Sequence, residues 1–337
     1  MKEIVSKVVS GKNLQREDAE KAIKTIMSGQ SNDIEISVFL TGLKMKGETA
    51  DEIASFAKVM REFAVRIEPI VSGTLVDMCG TGGDKSGTFN VSTTAMFIVA
   101  AAGIPVAKHG NRALTSKCGS ADVLEALGVD LSASPEKVRK SIEEVGIGFM
   151  YAPAHHSATK HVMPVRKALG YRTVFNILGP LTNPANAKAQ LMGVYDPDLT
   201  EKLAEVFRIL GLERAMVVHG EPGIDELSTI GKTKVSELKE GRINTYYISP
   251  EDYKLHKAEL KDLTGGTPKE NAEILKRILN GEDTGPKRDI VLLNAAAGIV
   301  VGKKADNLSL GLNIAREVLD SGKAYRKLCE YVEYSRK

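Results

Sequence analysis

Apolar side chains recur at helical spacing through the first 70 residues. Two stripes follow the i, i+3, i+4 pattern that places side chains on one face of a helix. They consist of Ala19, Ala22, Ile23 and Ile26, and of Ile53, Phe56, Ala57, Met60 and Phe63. Thr49 stands three residues before Glu52, which predicts a capping box at the start of the second of these helices. Residues 1–70 are therefore predicted to contain helices alone, with stripes that face a core or a partner.

From Leu75 onward, short apolar runs alternate with longer segments of helical periodicity. The runs predicted as strands are 75–78, 105–107, 147–151, 188–194, 215–219, 243–248 and 290–293. This alternation is typical of an α/β fold whose central sheet is mainly parallel and flanked by helices. A helical patch at about 160–180 interrupts it. Segments 265–268 and 281–286, rich in Gly and Pro, are predicted to be surface loops.

Composition and charge are those of an ordinary globular chain. Its 337 residues, 42% of them hydrophobic, can bury a full core and suffice for two domains, or for one large domain with an added lobe. The formal net charge is +3, with Lys and Arg interspersed among Asp and Glu. Because no basic arm is evident, binding of nucleic acid is not expected.

Cysteine usage and hydropathy bear on the compartment. Cys79, Cys118 and Cys329 are odd in number and show neither metal-ligand spacing nor a paired framework, which fits a reducing cytoplasm. The first residues lack the apolar core of a signal peptide, and no apolar run reaches the ~18 residues of a spanning helix. We therefore expect a cytoplasmic protein without a membrane segment.

The first strand-like run leads into a glycine-rich loop. Residues 79–94 read Cys-Gly-Thr-Gly-Gly-Asp-Lys-Ser-Gly-Thr-Phe-Asn-Val-Ser-Thr-Thr. Glycines let the backbone turn tightly and bring N–H groups close to an anion, while Asn90, Ser92 and Thr93 offer a helix N-cap and hydroxyl donors. The segment fits neither the dinucleotide fingerprint nor the P-loop. It is either a phosphate loop or an ordinary glycine-rich turn.

A second loop, rich in cations and hydroxyls, follows the next predicted strand. Its polar side chains are Lys108, Arg112 and Lys117, and Thr115, Ser116 and Ser120. This composition suits a polyanion such as diphosphate, although one such loop is more often a solvated basic surface. Two phosphate-type loops after successive strands favour a single ligand shared at the carboxyl ends of those strands.

Two adjacent carboxylates, Asp225 and Glu226, lie on a turn after the apolar strand 215–219. By themselves they would more often form a solvated acidic turn. Magnesium, however, is usually held by one or two carboxylates together with waters and substrate phosphates. Beside a diphosphate site the pair is therefore predicted to bind Mg²⁺.

Six motifs spread over nearly the whole chain resemble the anthranilate phosphoribosyltransferase family. They are 80–84 (Gly-Thr-Gly-Gly-Asp), 90–93 (Asn-Val-Ser-Thr), 108–112 (Lys-His-Gly-Asn-Arg), 119–128 (Gly-Ser-Ala-Asp-Val-Leu-Glu-Ala-Leu-Gly), 174–184 (Val-Phe-Asn-Ile-Leu-Gly-Pro-Leu-Thr-Asn-Pro) and 225–226 (Asp-Glu). Several long motifs in the right order are far more specific than any one loop.

The resemblance implies an architecture. A small N-terminal helical lobe, 1–70, is completed by an insertion near 160–184, and the large α/β domain, 71–337, binds the phosphoribosyl donor on a mainly parallel sheet flanked by helices. The small lobes are implied to pair two subunits into a homodimer. This discontinuous boundary and the dimer come from the resemblance and not from the periodicity.

The resemblance also implies a reaction of tryptophan biosynthesis. The phosphoribosyl group of 5-phosphoribosyl 1-diphosphate is transferred to the amino nitrogen of anthranilate, and diphosphate is released. Because the sugar carbon gains oxocarbenium character as diphosphate leaves, the protein must stabilise the leaving group and align the amine. We expect no covalent enzyme intermediate.

Site residues follow from the same resemblance. The donor is assigned to Gly80, Gly83, Asp84, Thr88, Asn90, Val91, Ser92, Thr93, Lys108, His109, Gly110, Asn111, Arg112, Ala113, Leu114, Thr115, Ser116 and Ser120. Anthranilate is assigned to Gly80, Asn111 and Arg166, whose guanidinium suits a carboxylate. Mg²⁺ is assigned to Asp225 and Glu226, with Ser92 as a further candidate. No residue is assigned to proton transfer, although His109 and His156 are candidates.

Two segments depart from the family pattern. Residues 154–159 read Ala-His-His-Ser-Ala-Thr where relatives often have Pro after the histidine, which predicts a different shape at the acceptor entrance. Thr115 and Cys118 replace serines of the second loop, and the thiol of Cys118 is the weaker donor.

Two other functions stay open at this point. A pyrimidine nucleoside phosphorylase shares the implied architecture and uses phosphate to split a nucleoside. The complete turn 79–84, the motif 108–112 and the acidic pair 225–226 favour a magnesium-bound diphosphate donor instead. A non-catalytic relative that binds nucleic acid would show a continuous basic surface, which the nearly balanced charge does not favour.

Overall fold

The computed structural model of the protein describes residues 1–113 and 117–337. The strands in these ranges are β1 (Val76–Gly80), β2 (Val106–Gly110), β3 (Ile147–Tyr151), β4 (Ala189–Gly193), β5 (Arg214–Gly220), β6 (Thr233–Lys239) and β7 (Arg242–Ile248). The α-helices are α1 (Lys2–Val9), α2 (Arg16–Met27), α3 (Asp33–Lys46), α4 (Ala50–Glu62), α5 (Val91–Ala101), α6 (Ser120–Leu127), α7 (Pro135–Val145), α8 (Ala152–His155), α9 (Met163–Leu169), α10 (Phe175–Leu178), α11 (Leu199–Ile209), α12 (Pro268–Leu279), α13 (Pro286–Val301), α14 (Leu308–Asp320) and α15 (Lys323–Arg336).

The strands of the described residues form one mixed sheet in the order β3-β2-β1-β4-β5-β6-β7. The first five strands in this order run parallel, and β6 and β7 are antiparallel additions at one side. Val76 of β1 lies opposite Val106 of β2 and Ala189 of β4, so the central strands start level. Their carboxyl ends therefore meet at one edge of the sheet, where α/β proteins bind ligands. The predicted α/β fold is confirmed.

Two expectations about strands were wrong. Residues 290–293 lie in α13, which starts at Pro286 and buries every residue from Ile290 to Val301. A short apolar run does not distinguish a strand from a helix buried on all sides. The unpredicted strand β6 carries charged residues that find partners across the sheet: Glu237 accepts from Arg214 at 3.3 Å and from the Tyr246 hydroxyl at 3.0 Å.

The N-terminal helices confirm the apolar stripes and the capping box. The side chains of both stripes are buried except Phe63, which follows the last residue of α4 and is 37% exposed. Thr49 Oγ1 accepts from the backbone N–H of Glu52 at 3.2 Å, and the Glu52 carboxylate accepts from the N–H of Thr49 at 2.8 Å. This reciprocal pairing satisfies donors that the start of α4 leaves unpaired.

Helices α1–α4 share one apolar cluster with the segment that follows β3. That segment contributes Val162, Val165, Val174, Phe175, Ile177, Leu178 and Leu181. The same cluster continues through α11 to Met192 of β4 and Val217 of β5. Because the cluster joins both parts of the chain, the division near residue 70 stays a prediction. Among the described helices, none combines the length and the apolar character needed to cross a membrane.

Candidate active site

The loop between β1 and α5 depends on left-handed backbone. Gly82, Gly83, Lys85 and Gly87 have φ angles of 66°, 73°, 60° and 70°. Three of these four positions are glycine, which adopts this conformation without a Cβ clash. Inside the loop, Asp84 accepts from the N–H of Ser86 at 3.2 Å and from its hydroxyl at 2.6 Å.

Asp225 reaches this loop from the turn after β5. Its Oδ2 accepts from the N–H of Gly82 at 2.7 Å. A Cβ at Gly80 would collide with the Asp225 carboxylate, and a Cβ at Gly193 would collide with the Asp225 backbone. Both strands therefore end in glycine because the acidic turn approaches their backbones closely.

Glu226 is held against the start of α5. Its Oε1 accepts from the N–H of Ser92 at 3.1 Å. Lys108, buried in the middle of β2, donates to the Ser92 hydroxyl at 3.3 Å and to the Met78 carbonyl. Two carboxylates that follow β5, a hydroxyl at the start of α5 and a buried cation of β2 are thus gathered at one place.

The electrostatics of the acidic pair suit a cation. Burial raises the pKa of Asp225 to about 7 and that of Glu226 to about 8. The charge of Asp84 raises the pKa of Asp225 further, and the charge of Asp225 does the same to Glu226. Lys108 lowers the pKa of Glu226 and so offsets part of the rise. A divalent cation here would relieve the remaining repulsion.

The oxygen donors gathered here are of the kind found in open magnesium sites. In the part of the chain that the structure describes, no three His, Cys, Asp or Glu side chains form a metal-binding group. Mg²⁺ does not require one, because it keeps several waters and takes oxygens from substrate phosphates. The two carboxylates and the Ser92 hydroxyl supply oxygen donors of the type it prefers.

The arginine of the second loop is paired with carboxylates of the same protein. Arg112 forms ion pairs with Asp122 at 3.0 Å and with Glu125 at 2.8 Å, both on α6. Asp122 also accepts from the N–H groups of Ala113 at 2.9 Å and Gly119 at 2.8 Å. The positive charge predicted for a polyanion is thus partly neutralised here. Leu114, Thr115 and Ser116 lie outside the described residues.

The two loops meet at Asn90. This residue is the N-cap of α5, but its side chain makes no capping bond. Its Nδ2 donates to the carbonyl of Cys118 in the second loop at 3.3 Å. Val91 and Thr93 follow it, buried in the first turn of α5. The Asn90 side chain, expected to cap α5, therefore joins the two loops instead.

Gly110, Ser120 and Asn111 shape the base of the second loop. A Cβ at Gly110 would collide with the Ser120 hydroxyl, which donates to the Asn111 carbonyl at 3.3 Å. The Asn111 amide oxygen accepts from the N–H of Arg112 at 2.8 Å. In the first loop, the hydroxyls of Thr88 and Ser86 are 3.1 Å apart.

Two buried histidines pack together, His109 within β2 and His156 directly after α8. The His109 and His156 rings are 5.0 Å apart, and the His109 Nε2 is buried without a partner among the described residues. Burial and the neighbouring imidazoles lower the pKa of His109 to about 3, and burial lowers the pKa of His156 to about 4. Both rings are therefore neutral at pH 7.

Arg166 of α9 is a partly buried cation. Its guanidinium lies 5.7 Å from the centre of the Phe175 ring and contacts the sulfur of Met163 at 3.6 Å. Burial lowers the pKa of Arg166. Within the described ranges, none of its ion pairs or hydrogen bonds joins it to Gly80 or Asn111. The structure thus does not link Arg166 to the other two anthranilate candidates by a hydrogen bond or an ion pair among the described residues.

Several residues that position the site were not predicted. Arg172 donates to the Gly83 carbonyl and stacks on Tyr195 with its guanidinium carbon 3.8 Å from the ring centre. Asn183 donates to Asp77 and to the Ala107 carbonyl, each at 2.8 Å, and so joins β1 to β2. The motif 174–184 was a sequence signal for Asn183, whereas no local pattern pointed to Arg172.

Buried Asn294 fixes the acidic turn from behind. Its Oδ1 accepts from the N–H of Leu227 at 3.0 Å, and its Nδ2 donates to the Leu227 carbonyl at 2.9 Å. Leu227 directly follows Glu226, so α13 holds the backbone beside the carboxylate. An asparagine within the apolar run of α13 was the only sequence signal for this role.

Known proteins resemble the chain over its whole length. The family model described as "Glycosyl transferase family, a/b domain" matches residues 72–325, and the one described as "Glycosyl transferase family, helical bundle domain" matches residues 2–64. The anthranilate phosphoribosyltransferase of Acetivibrio thermocellus is 52% identical over 335 residues, which cover 99% of this chain and 96% of the relative.

Two solved structures are also similar. The crystal structure of anthranilate phosphoribosyltransferase from Thermus thermophilus has a TM-score of 0.95 and 46% identity, with 99% of both chains covered. The enzyme from Saccharomyces cerevisiae in complex with PRPP and Mg has a TM-score of 0.89 and 31% identity, with 99% of this chain and 97% of that chain covered.

Proposed function

The chain belongs to the anthranilate phosphoribosyltransferase family, and on this premise we propose the roles of the residues gathered at its strand ends. The function that the site supports best is transfer of the phosphoribosyl group of 5-phosphoribosyl 1-diphosphate to the amine of anthranilate. One observation carries it: the loops after β1 and β2 meet through Asn90 beside the half-buried pair of Asp225 and Glu226. The whole-chain similarity favours this reaction over nucleoside phosphorolysis and over binding of nucleic acid.

The donor-binding proposal covers both strand-end loops. It includes Gly80, Gly83, Asp84, Thr88, Asn90, Val91, Ser92, Thr93, Lys108, His109, Gly110, Asn111, Arg112, Ala113, Leu114, Thr115, Ser116 and Ser120. The contact between the loops supports a single ligand spanning both. The ion pairs of Arg112 make it the weakest member, because a diphosphate would have to compete with Glu125 for the guanidinium.

Asp225, Glu226 and Ser92 would hold Mg²⁺. The raised pKa values of the two carboxylates and the yeast relative's complex with PRPP and Mg support this proposal. When bound, the ion would supply positive charge to the diphosphate as a leaving group. Lys108 would add fixed positive charge from the middle of β2, in a position preorganised by its bonds to Met78 and Ser92.

Arg166 would bind the anthranilate carboxylate, with Gly80 and Asn111 at the opposite wall. The support is chemical. The Arg166 guanidinium is partly buried and contacts a thioether and an aromatic ring, and burial lowers its pKa. A carboxylate ligand would therefore stabilise its positive charge. The neutral His109 and His156 would leave the amine free to attack without a protonated neighbour. No residue is proposed as the proton acceptor.

Arg166→Ala should raise the KM for anthranilate by at least about tenfold and the KM for the donor by less than about twofold. The reason is that the variant loses a charge-assisted bidentate contact to the anthranilate carboxylate and no contact to the donor. Steady-state kinetics with each substrate varied in turn measure the split. Lys167→Ala, on the exposed side of the same helix, is the matched control. Equal rises in both constants would remove Arg166 from the acceptor site.

A homodimer through the helical lobe is proposed on an exposed apolar patch. The patch consists of Val9 of α1 and of Ile34, Val38 and Met45 of α3, whose exposures are 60%, 75%, 38% and 83%. Isolated exposed apolar side chains are ordinary, but a row along one helix face marks an interaction surface. A second copy of the chain is the proposed occupant.

The variant Ile34→Lys with Met45→Lys should weaken the dimer at least about 100-fold in Kd, because two buried apolar side chains each contribute about 1.5–3 kcal/mol. Sedimentation velocity over a concentration series measures it. Leu310→Lys removes an apolar residue of α14 that is 47% exposed and should leave the dimer intact. Wild-type protein that sediments as a monomer would refute the proposed dimer.

The reaction is tested with purified protein, anthranilate, the donor and magnesium. Loss of anthranilate fluorescence that needs both donor and magnesium is the expected result. Loss without the donor, or no loss while the donor still binds in calorimetry, would refute the acceptor and reopen the search among other amines and nucleosides.

A cytoplasmic location is proposed because the family acts in amino-acid biosynthesis.

A further inference from the structure

Helix α12 buries one asparagine, Asn271, which is only 2% exposed. Asparagine is a weak helix former because its amide competes for backbone hydrogen bonds. A buried amide must also find partners, since each unpaired polar group is costly. The partners of Asn271 therefore show why the chain accepts a polar group at this position.

Those partners form a relay of three hydrogen bonds. The N–H of Gly266 donates to Asn271 Oδ1 at 2.7 Å, and Asn271 Nδ2 donates to Asn90 Oδ1 at 2.9 Å. Asn90 Nδ2 then donates to the Cys118 carbonyl at 3.3 Å. A backbone N–H can only donate and a carbonyl can only accept, so the two ends of the relay set the orientation of both amides.

The relay ends where the two donor loops meet. Asn90 closes the glycine-rich loop after β1, and Cys118 belongs to the loop after β2. An asparagine Nδ2 carries two hydrogens. Asn90 Nδ2 donates one hydrogen to the Cys118 carbonyl, and its second hydrogen is the group that we consider for a ligand.

The segment before α12 clamps the same loop through its backbone. The N–H of Phe89 donates to the Leu263 carbonyl at 3.1 Å, and the N–H of Gly265 donates to the Gly87 carbonyl at 2.9 Å. A Cβ at Gly265 would lie 2.7 Å from Phe89 Cα and 2.8 Å from Asn271 Oδ1. Residues 265–267, the first part of the predicted surface loop 265–268, lie outside helices and strands, and Thr267 is exposed. The pairing joins this loop to the glycine-rich loop.

We propose that Asn271 is a positioning residue for the phosphoribosyl diphosphate donor. It orients the Asn90 amide so that an N–H faces an anion held between the two loops. The inference rests on the proposed function for the identity of the donor. The proposal adds to that site a residue of α12 that lies outside all six sequence motifs.

Asn271→Asp tests this orientation with little change in volume. The new carboxylate still accepts from Gly266 but meets Asn90 with an oxygen, so the Asn90 amide loses its partner or turns over. We expect the KM for the donor to rise about tenfold and the KM for anthranilate to change less than about twofold. Calorimetric Kd for inorganic diphosphate with magnesium should rise by a similar factor. Asn271→Ser, which buries no charge, should show the same split and serves if the first variant does not fold.

Ser141→Ala is the control for loss of a buried hydrogen bond. The Ser141 hydroxyl donates to the Ile147 carbonyl at 2.7 Å, at the amino end of β3 and so opposite the site. It should lower the melting temperature without changing either KM. The proposal is overturned if the Asn271 variants keep wild-type donor KM and diphosphate Kd, raise both KM values equally, or behave as Ser141→Ala does.

The outcomes separate this inference from the proposed function. Wild-type protein without transferase activity would refute the proposed function. If diphosphate binding nevertheless weakens in the Asn271 variants, the positioning role for an anion between the loops stands. If wild-type protein is active and the variants bind and turn over the donor normally, only the positioning role fails.

Discussion

Asp225→Asn combined with Glu226→Gln is expected to lower kcat/KM on the order of 1000-fold while the protein still folds. Each amide keeps an oxygen that accepts from Gly82 or Ser92, so the hydrogen bonds that place the turn survive. The amides carry no charge, and so they lose the attraction for magnesium. They also remove the cost of burying a charge, which is the main cause of both raised pKa values, and the like-charge repulsion that adds to it. Both changes favour the fold in the absence of metal.

The rate is measured by anthranilate fluorescence at increasing magnesium, and folding by thermal melting without metal. Glu237→Gln is the matched control, since this carboxylate lies on β6 and pairs with Arg214. The control should keep the wild-type dependence on magnesium. A double variant whose rate rises with magnesium as in the wild type would exclude the pair as metal ligands.

Glu52→Ala is expected to destabilise the protein by about 3–5 kcal/mol, the usual result of removing one partner of a buried ion pair. The Glu52 side chain is 0% exposed and pairs with Lys46, 4% exposed, at 2.7 Å. The carboxylate also accepts from the N–H groups of Leu14 and Thr49, each at 2.8 Å. Truncation leaves a buried cation and two buried N–H groups without this acceptor.

Unfolding in urea, followed by circular dichroism, measures this loss. The double variant Lys46→Met with Glu52→Leu should recover part of the stability, because removing both charges leaves no unpaired ion. Glu333→Gln, which breaks an exposed pair with Lys337, should leave the urea midpoint unchanged. A single variant as stable as wild type, or a double variant less stable than the single one, would show that the pair is not the source of stability.

Sequence patterns predicted the strands whose side chains are mostly buried and the helices that bury one face. Strands β1 to β4 have mostly buried side chains, so each appears as a short apolar run, and the stripes of α2 and α4 each face one core. Strand β6 was not predicted because it contains charged residues, of which Glu237 pairs with side chains of the neighbouring strands. Helix α13 was mistaken for a strand because burial on all sides erases helical periodicity.

The candidate site was predictable where its chemistry is local. The glycines at 82, 83 and 87 and the acidic pair at 225–226 each mark a strand end by composition alone. Lys108, expected in the loop after a strand, lies within β2. The partners of the charged side chains could not be predicted in the same way. Arg112 has the composition of an anion ligand, yet α6 presents Asp122 and Glu125 to it.

The sequence alone determined the α/β class, the helical N-terminal segment, the loops at the strand ends and the family, because these depend on residue type, spacing and order along the chain. Only the tertiary structure decided which groups meet. Asn271 lies 181 positions from Asn90, and Asp225 lies 143 positions from Gly82, yet both pairs are hydrogen-bonded. Such contacts arise because parallel strands bring distant loops to one sheet edge, and their hydrogen-bond geometry depends on packing that no local pattern records.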